Sequence, residues 1–168
     1  MSIAHITFEV DKEQLVKDLK NLKQGITGCS AGYTSAWWED RVIGPRDRTN
    51  SGFIDDLTVE QKRITEAFGK ALGVPLKAIY TTQRPNKELY WHTDPKEMKC
   101  AINFVISGNQ SPITFKDAEY MYEAALVDVS TVHMVKPQPT KRILFKLCID
   151  DLTFEEAKEK LKCSGLIS

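Results

Sequence analysis

The sequence predicts a mainly β domain of the α+β class, in which a few helices support a β-barrel or sandwich. Two helical segments come first, about six short strands follow, and one more helix lies near the end of the chain. Helices and strands do not alternate, which argues against a parallel, doubly wound sheet. A mostly antiparallel barrel with helices packed on one outer face fits this order better.

Length and composition narrow the possible classes of protein. A chain of 168 residues, 42% of them hydrophobic, is expected to form a single domain over 1–168 with a sizeable core. Its 23 basic residues balance 23 acidic ones, which argues against nucleic-acid binding through bulk charge. The first residues lack a secretory signal pattern, no run approaches the ~20 apolar residues of a membrane span, and the four cysteines show no C-x-x-C spacing. These features predict a cytoplasmic protein with reduced cysteines and no membrane anchor, and they leave its oligomeric state open.

The N-terminal third is predicted to contain one helix and one irregular segment. The helix covers residues 11–23, where Leu15, Leu19 and Leu22 fall on one stripe with lysines opposite. The segment 28–53 has no sustained period and combines glycine, serine, paired tryptophans and three arginines. A segment of this length is either a functional lid or an ordinary surface loop around a strand with a weak pattern.

The other two helices, predicted over 58–72 and 153–163, begin with the same capping pattern. In each, a threonine N-cap is followed three residues later by a side chain that can accept its amide hydrogen. The pairs are Thr58 with Gln61 and Thr153 with Glu156. Gly73 is expected to end the first of these helices.

The barrel core is predicted over about residues 76–149, where short β-branched or aromatic runs are separated by turn residues. In the last run, "KRILFKLCI", alternation produces one apolar face suited to packing under helices: Ile143, Phe145, Leu147 and Ile149. The opposite face points into the barrel and carries Arg142, Leu144, Lys146 and Cys148. An inward charge is costly unless it is paired. Because no carboxylate is an obvious protein partner for Arg142, a bound anionic ligand is a good candidate.

The stretch "LYWHTDPKEM", residues 89–98, contains the first candidate site. His92 and Asp94 are two apart and project from the same face of an extended chain, so they are either metal ligands or part of a polar turn. His133 lies in another strand-like run, and a barrel can bring it to them as a third ligand. Two histidines and one carboxylate form the ligand set of non-haem Fe(II) oxygenases, although ligand type alone does not select iron over zinc or manganese.

The order His92-x-Asp94, then His133, then Arg142 resembles the Fe(II)- and 2-oxoglutarate-dependent dioxygenase superfamily. The resemblance covers about residues 80–149 and is carried by "YWHTD", "AINFVI" and "VHMVKPQPTKRILF". It implies a double-stranded β-helix, which is a jelly-roll barrel with helical support. It also implies that the two histidines and Asp94 bind Fe(II), with no catalytic residue beyond this metal site.

The resemblance implies further roles by position. Arg142 would clamp the far carboxylate of 2-oxoglutarate through a bidentate pair, which guanidinium geometry favours over lysine. Two groups of weaker candidates follow from the same comparison. Hydrogen bonds to the cosubstrate would come from Tyr80 or Thr82 and from Asn103, and substrate contacts from Trp91, Trp38 and Arg41.

The implied activity is hydroxylation of a small molecule or a peptidyl side chain, with 2-oxoglutarate and O2 consumed and succinate and CO2 released. Most prolyl hydroxylases of the superfamily have lysine where Arg142 stands, which weighs against that branch. Two alternatives are a cupin-like metalloenzyme that uses no 2-oxoglutarate, and a non-catalytic β-barrel whose polar residues hold a ligand. The first alternative has no need of an inward arginine.

Overall fold

The fold is built from nine strands and three helices within the residues that the computed structural model describes, namely 1–21, 57–83, 85–86, 89–94, 97–108 and 112–168. In chain order the elements are β1 Ile3–His5, α1 Lys12–Lys20, α2 Val59–Leu72, β2 Lys77–Gln83, β3 Leu89–His92, β4 Cys100–Ser107, β5 Ile113–Phe115, β6 Glu119–Tyr120, β7 Ala124–Val127, β8 His133–Val135, β9 Arg142–Ile149 and α3 Phe154–Cys163. The predicted lid segment 28–53 lies outside the described residues, and so do Trp38 and Arg41 within it.

The strands form two antiparallel sheets. The five-stranded sheet has the order β1-β7-β4-β9-β2, and the four-stranded sheet has the order β3-β8-β5-β6. From β2 to β9 the chain pairs like one long nested hairpin, β2 with β9, β3 with β8, β4 with β7 and β5 with β6. Nested pairing distributed over two sheets is jelly-roll topology. The predicted β-rich jelly-roll fold is therefore confirmed.

The two faces of the five-stranded sheet belong to different buried clusters. One cluster combines side chains of the three helices with alternate residues of the sheet, including Leu15, Phe68, Leu161, Phe145 and Leu147. The other combines the opposite sheet face with the four-stranded sheet, including Leu144, Cys148, Ile113 and Phe115. The barrel interior therefore lies between the two sheets. The predicted alternation of β9 is confirmed, because its odd-numbered residues share the helix cluster and its even-numbered apolar residues face inward.

The three helices begin where local capping predicts. Each predicted helix started at the residue that serves as N-cap, so the helices themselves begin one residue later, after Asp11, Thr58 and Thr153. Thr153 N donates to Glu156 Oε2 at 2.8 Å, and Thr153 Oγ1 accepts from Glu156 N at 3.3 Å. Gly73 ends α2 with a left-handed φ of 70°. Helix α1 ends at Lys20, so the last turn predicted to 23 falls partly outside the described residues.

Two observations bear on the expectations about membranes and cysteines. Within the described segments, no helix is both long and apolar enough to cross a lipid bilayer. Cys100 and Cys148 are buried free thiols, and burial raises the pKa of each to about 12. Cys163 is an exposed free thiol, whereas Cys29 lies outside the described residues.

Gly108 allows the end of β4 to approach the start of β9. Its φ is +87°, and a Cβ there would lie 2.2 Å from Lys141 O and 2.9 Å from Arg142 Cα. We expect Gly108→Ala to lower the free energy of unfolding by roughly 1–3 kcal/mol through the left-handed φ alone, and further through the backbone clash. Urea unfolding measures this loss. Gly73→Ala is a matched control, because its φ is +70° and its Cβ would meet nothing within 4 Å. Equal losses in the two variants would contradict the close approach at Gly108.

Candidate metal centre

The pairing of β3 with β8 places two histidines side by side. His92 ends β3, His133 begins β8, and the two residues are direct partners in the antiparallel register. Their ring centroids are 4.4 Å apart. His133 is buried between the sheets, whereas 36% of the His92 side chain is exposed. The jelly-roll register therefore joins two residues that are distant in sequence.

Backbone carbonyls orient both imidazole rings in the same way. His92 Nδ1 contacts Tyr90 O, and His133 Nδ1 lies 2.7 Å from Thr131 O. A ring nitrogen that faces a carbonyl carries the hydrogen, so the Nε2 atom of each neutral ring keeps its lone pair. Carbonyl partners of this kind commonly orient histidines that bind metals. Both Nε2 atoms are therefore prepared to act as ligands.

Asp94 completes the cluster from the segment that follows β3. Its backbone N donates to Val129 O at 3.0 Å, and its side chain is buried. Asp94 Oδ1 lies 3.6 Å from Nε2 of His92 and 3.6 Å from Nε2 of His133. The three ligand atoms all lie within 4.8 Å of one another. Two imidazole nitrogens and one carboxylate oxygen suit a divalent transition metal.

The second oxygen of Asp94 contacts a buried lysine. Lys146 Nζ donates to Asp94 Oδ2. Burial alone would raise the pKa of Asp94, but the Lys146 ammonium and the two neighbouring imidazoles hold it well below its ordinary value. Burial likewise opposes the charge of Lys146, whose pKa is nevertheless raised by the Asp94 carboxylate. The nearby Asp94 carboxylate is also the main reason why the pKa of His92 is raised.

Arg142 is a buried cation that lacks a protein partner among the described residues. It is 3% exposed, and its neighbour across the strand pair is Gln83 on β2. Neither Nε nor Nη1 of Arg142 has a hydrogen-bond partner in the described part of the chain. Among the described residues, Asp94 is the buried carboxylate between the sheets, and Lys146 already contacts it. A buried guanidinium in this position is costly unless an anion pairs with it.

Tyr80 does not reach this site. It belongs to the buried cluster on the helix side of the five-stranded sheet. Its hydroxyl donates to Leu15 O at 2.8 Å and accepts from Gln61 Nε2 at 2.9 Å. The interpretation of Tyr80 as a cosubstrate ligand is therefore corrected, since its hydroxyl is engaged in the helical layer. Thr82 pairs with Ile143 in the strand register, and its side chain lies outside the described part of the structure.

Asn103 lies between the sheets, as its predicted role requires. It is buried, and it is the direct partner of Lys146 across β4 and β9. Its Nδ2 donates to Tyr122 Oη at 3.1 Å, whereas its Oδ1 has no hydrogen-bond partner among the described residues. Asn103 Oδ1 can therefore accept a hydrogen bond only from a ligand that has a donor, which the 2-oxoglutarate dianion lacks.

Trp91 precedes His92 on β3, which is an edge strand of the four-stranded sheet among the described strands. Trp91 is 48% exposed, and Tyr90 is 73% exposed. Both aromatic residues therefore border solvent next to the candidate metal ligands. Trp38 and Arg41, the other candidates for substrate contacts, lie outside the described residues.

The chain matches no protein-family model and no curated protein sequence. Among solved structures it is similar to a viral collagen prolyl hydroxylase from Paramecium Bursaria Chlorella virus-1 in its 2OG complex, with 12% identity over 58% of this chain and 78% of that one, at a TM-score of 0.44. A prolyl-4-hydroxylase from Pseudomonas putida is 14% identical over 45% of this chain and 51% of that one, at a TM-score of 0.37. A cupin domain from Bordetella pertussis Tohama I is 12% identical over 44% of this chain and 80% of that one, at a TM-score of 0.36. The chain thus spans about half the length of the Pseudomonas putida enzyme. Likeness at this level does not carry an activity from one protein to another.

Proposed function

We propose that this protein is an Fe(II)- and 2-oxoglutarate-dependent oxygenase that hydroxylates a small molecule or a peptidyl side chain. The observation that carries the proposal is the buried guanidinium of Arg142, which has two nitrogens without a described protein partner. It lies on the same strand as Lys146 and faces the same way, and Lys146 contacts the candidate metal ligand Asp94. A ligand with a carboxylate at one end and metal-binding oxygens at the other would pair with Arg142 and also bind a metal held at Asp94.

Different residues would bind the metal and the cosubstrate. His92, Asp94 and His133 would hold Fe(II) on one side and leave its other coordination positions open. Arg142 would orient 2-oxoglutarate by pairing with its distal carboxylate. When bound, the iron and its cosubstrate would supply the oxidative chemistry, in which O2 and 2-oxoglutarate yield succinate, CO2 and the hydroxylated substrate.

The substrate is expected to approach on the side of His92. Of the three candidate ligands, His92 is the most exposed, whereas Asp94 and His133 are buried. Trp91 lies directly before His92 and is half-exposed, so it is placed to contact a molecule that enters from solvent. The buried residues behind the cluster would keep water away from the reacting atoms.

Two other functions fit part of the site. A cupin-like metalloenzyme without 2-oxoglutarate would use the same three ligands, but it would leave the charge of Arg142 without a purpose. A non-catalytic ligand-binding barrel could use Arg142, but it would not require two histidines whose Nε2 atoms both face one carboxylate oxygen. The oxygenase accounts for both features.

A calorimetric titration tests the proposal. We expect 2-oxoglutarate to bind the Mn(II)-loaded protein with one site per chain, and to bind far more weakly when the metal is omitted. Glutarate, which lacks the 2-oxo group, is a matched ligand and should bind more weakly than 2-oxoglutarate. With Fe(II) and air, we also expect slow formation of succinate even without a substrate.

Each negative result selects an alternative. Binding of Mn(II) without any binding of 2-oxoglutarate would favour the cupin-like metalloenzyme. Failure to bind Mn(II) or Fe(II) would favour the non-catalytic barrel. A crystal of the metal-loaded protein soaked with 2-oxoglutarate would then outline the space that is left for the substrate.

A further inference from the structure

The two carboxylate oxygens of Asp94 have different partners. Oδ1 lies 3.6 Å from the Nε2 atoms of both histidines, whereas Oδ2 accepts from Lys146 Nζ. One oxygen therefore faces the position that a metal would occupy, and the other is occupied by an ammonium group. A carboxylate whose two oxygens have different partners is oriented to bind a metal through one oxygen.

Lys146 reaches Asp94 from the opposite sheet. The two histidines and the segment that carries Asp94 belong to the side of the four-stranded sheet, through β3 and β8. Lys146 lies in the middle of β9, where it pairs with Ile79 on β2 and with Asn103 on β4. Because β9 is bonded to a neighbour on each side, the base of the lysine side chain is held firmly. Asp94 follows the end of β3 on the other side of the barrel, and the lysine holds its carboxylate from there.

We propose that Lys146 is a positioning residue that keeps Asp94 a one-oxygen ligand. This inference rests on the proposed metal centre, but it does not depend on which cosubstrate the centre uses. Outer partners of metal-bound carboxylates commonly determine how those carboxylates coordinate. If both oxygens of Asp94 chelated the metal, only two of six coordination positions would remain, so a two-pronged cosubstrate and O2 could not both bind. The hydrogen bond from Lys146 prevents this by engaging Oδ2.

This role has an electrostatic cost that makes it testable. An ammonium group near a divalent cation repels that cation, so removal of Lys146 by itself would strengthen metal binding. If Lys146 were needed only for folding, its removal would distort the site and weaken the binding of both the metal and the cosubstrate. Separate measurements of the two affinities therefore distinguish positioning from general structural support.

The test compares Lys146→Met, Lys146→Arg and the wild-type protein after each is loaded with Mn(II). Methionine has a similar length but no donor, whereas arginine retains a charged donor. We expect Lys146→Met to bind Mn(II) at least as tightly as the wild type by calorimetry, and to bind 2-oxoglutarate more weakly, because the ammonium that attracts the dianion is lost. Crystal structures of the Mn(II)-loaded proteins should show one coordinating oxygen of Asp94 in the wild type and in Lys146→Arg, and two in Lys146→Met.

Lys77→Met is the matched control, because Lys77 pairs with Asp150 at 3.2 Å on the surface of the same sheet. It should leave both affinities unchanged. One-oxygen coordination in Lys146→Met, or an equal loss of Mn(II) and 2-oxoglutarate binding, would overturn the inference. If the wild-type protein bound no Mn(II), the metal centre itself would be refuted. If it bound Mn(II) but no 2-oxoglutarate, the coordination of Asp94 would still decide the role of Lys146.

Discussion

Replacing Asp94 by asparagine is expected to remove tight metal binding and to destabilise the metal-free protein by roughly 3–5 kcal/mol. Asparagine has nearly the same shape, but it leaves the buried ammonium of Lys146 without its counter-charge. It also removes the one negative side chain from the candidate metal ligands. Urea unfolding in the presence of a chelator measures the loss of stability, and the metal content after reconstitution measures the loss of metal binding.

The pH dependence of this stabilisation provides an internal check. Because folding lowers the pKa of Asp94, the contribution is present above the ordinary aspartate pKa of about 4 and is lost as the pH falls toward the folded value. The difference between wild type and Asp94→Asn should therefore shrink in acid. Asp150→Asn, which breaks the exposed pair with Lys77, should cost less than about 1 kcal/mol. Equal stability of Asp94→Asn and the wild type at neutral pH would show that the buried pair does not stabilise the fold.

Replacing Arg142 by methionine is expected to have opposite effects on cosubstrate binding and on stability. Loss of a buried charge-assisted pair should weaken 2-oxoglutarate binding by roughly 2–5 kcal/mol, which is about 30-fold or more in Kd. Mn(II) binding should change little, because Arg142 is not among the clustered ligands. In the absence of ligand, the variant should be more stable by about 1–3 kcal/mol, since methionine removes buried donors that have no described partner. Calorimetry and urea unfolding measure the two effects.

A control separates this result from a general effect of removing positive charge. Arg63 is an exposed arginine whose Nε lies 2.6 Å from Glu60 Oε1 on the helical side of the fold. Arg63→Met should leave 2-oxoglutarate binding unchanged. If Arg142→Met were less stable than the wild type and lost metal and 2-oxoglutarate equally, then Arg142 would be a structural residue.

The elements that depend on neighbouring residues could be predicted from the sequence. The capping of α3 by Thr153 and Glu156 needs only residues three apart, and the structure confirms it. The two faces of β9 follow from the period of two along a strand, and Phe145 and Leu144 indeed belong to different buried clusters. The jelly-roll topology followed from a resemblance carried by a few side chains, and the nested strand pairing confirms it.

The candidate site shows where such prediction stops. The structure brings His92, Asp94 and His133 together through the pairing of β3 with β8, and it leaves Arg142 buried without a described partner. Tyr80 was misplaced because both faces of β2 carry apolar residues, so the pattern could not indicate which face lies inside the barrel. The missing signal was the register of β2 against β9, in which Tyr80 pairs with Phe145 on the helix side.

By itself, the sequence predicted the helices, about six of the nine described strands, the inward face of β9 and the kinds of ligand available to a metal. Only the tertiary structure decided that Lys146 holds one oxygen of Asp94, because the partners are 52 residues apart and lie on opposite sheets. Alternation along a strand indicates the direction of a side chain, but not the group that it meets across the barrel. That contact depends on the register of several strand pairs at once, which no local pattern encodes.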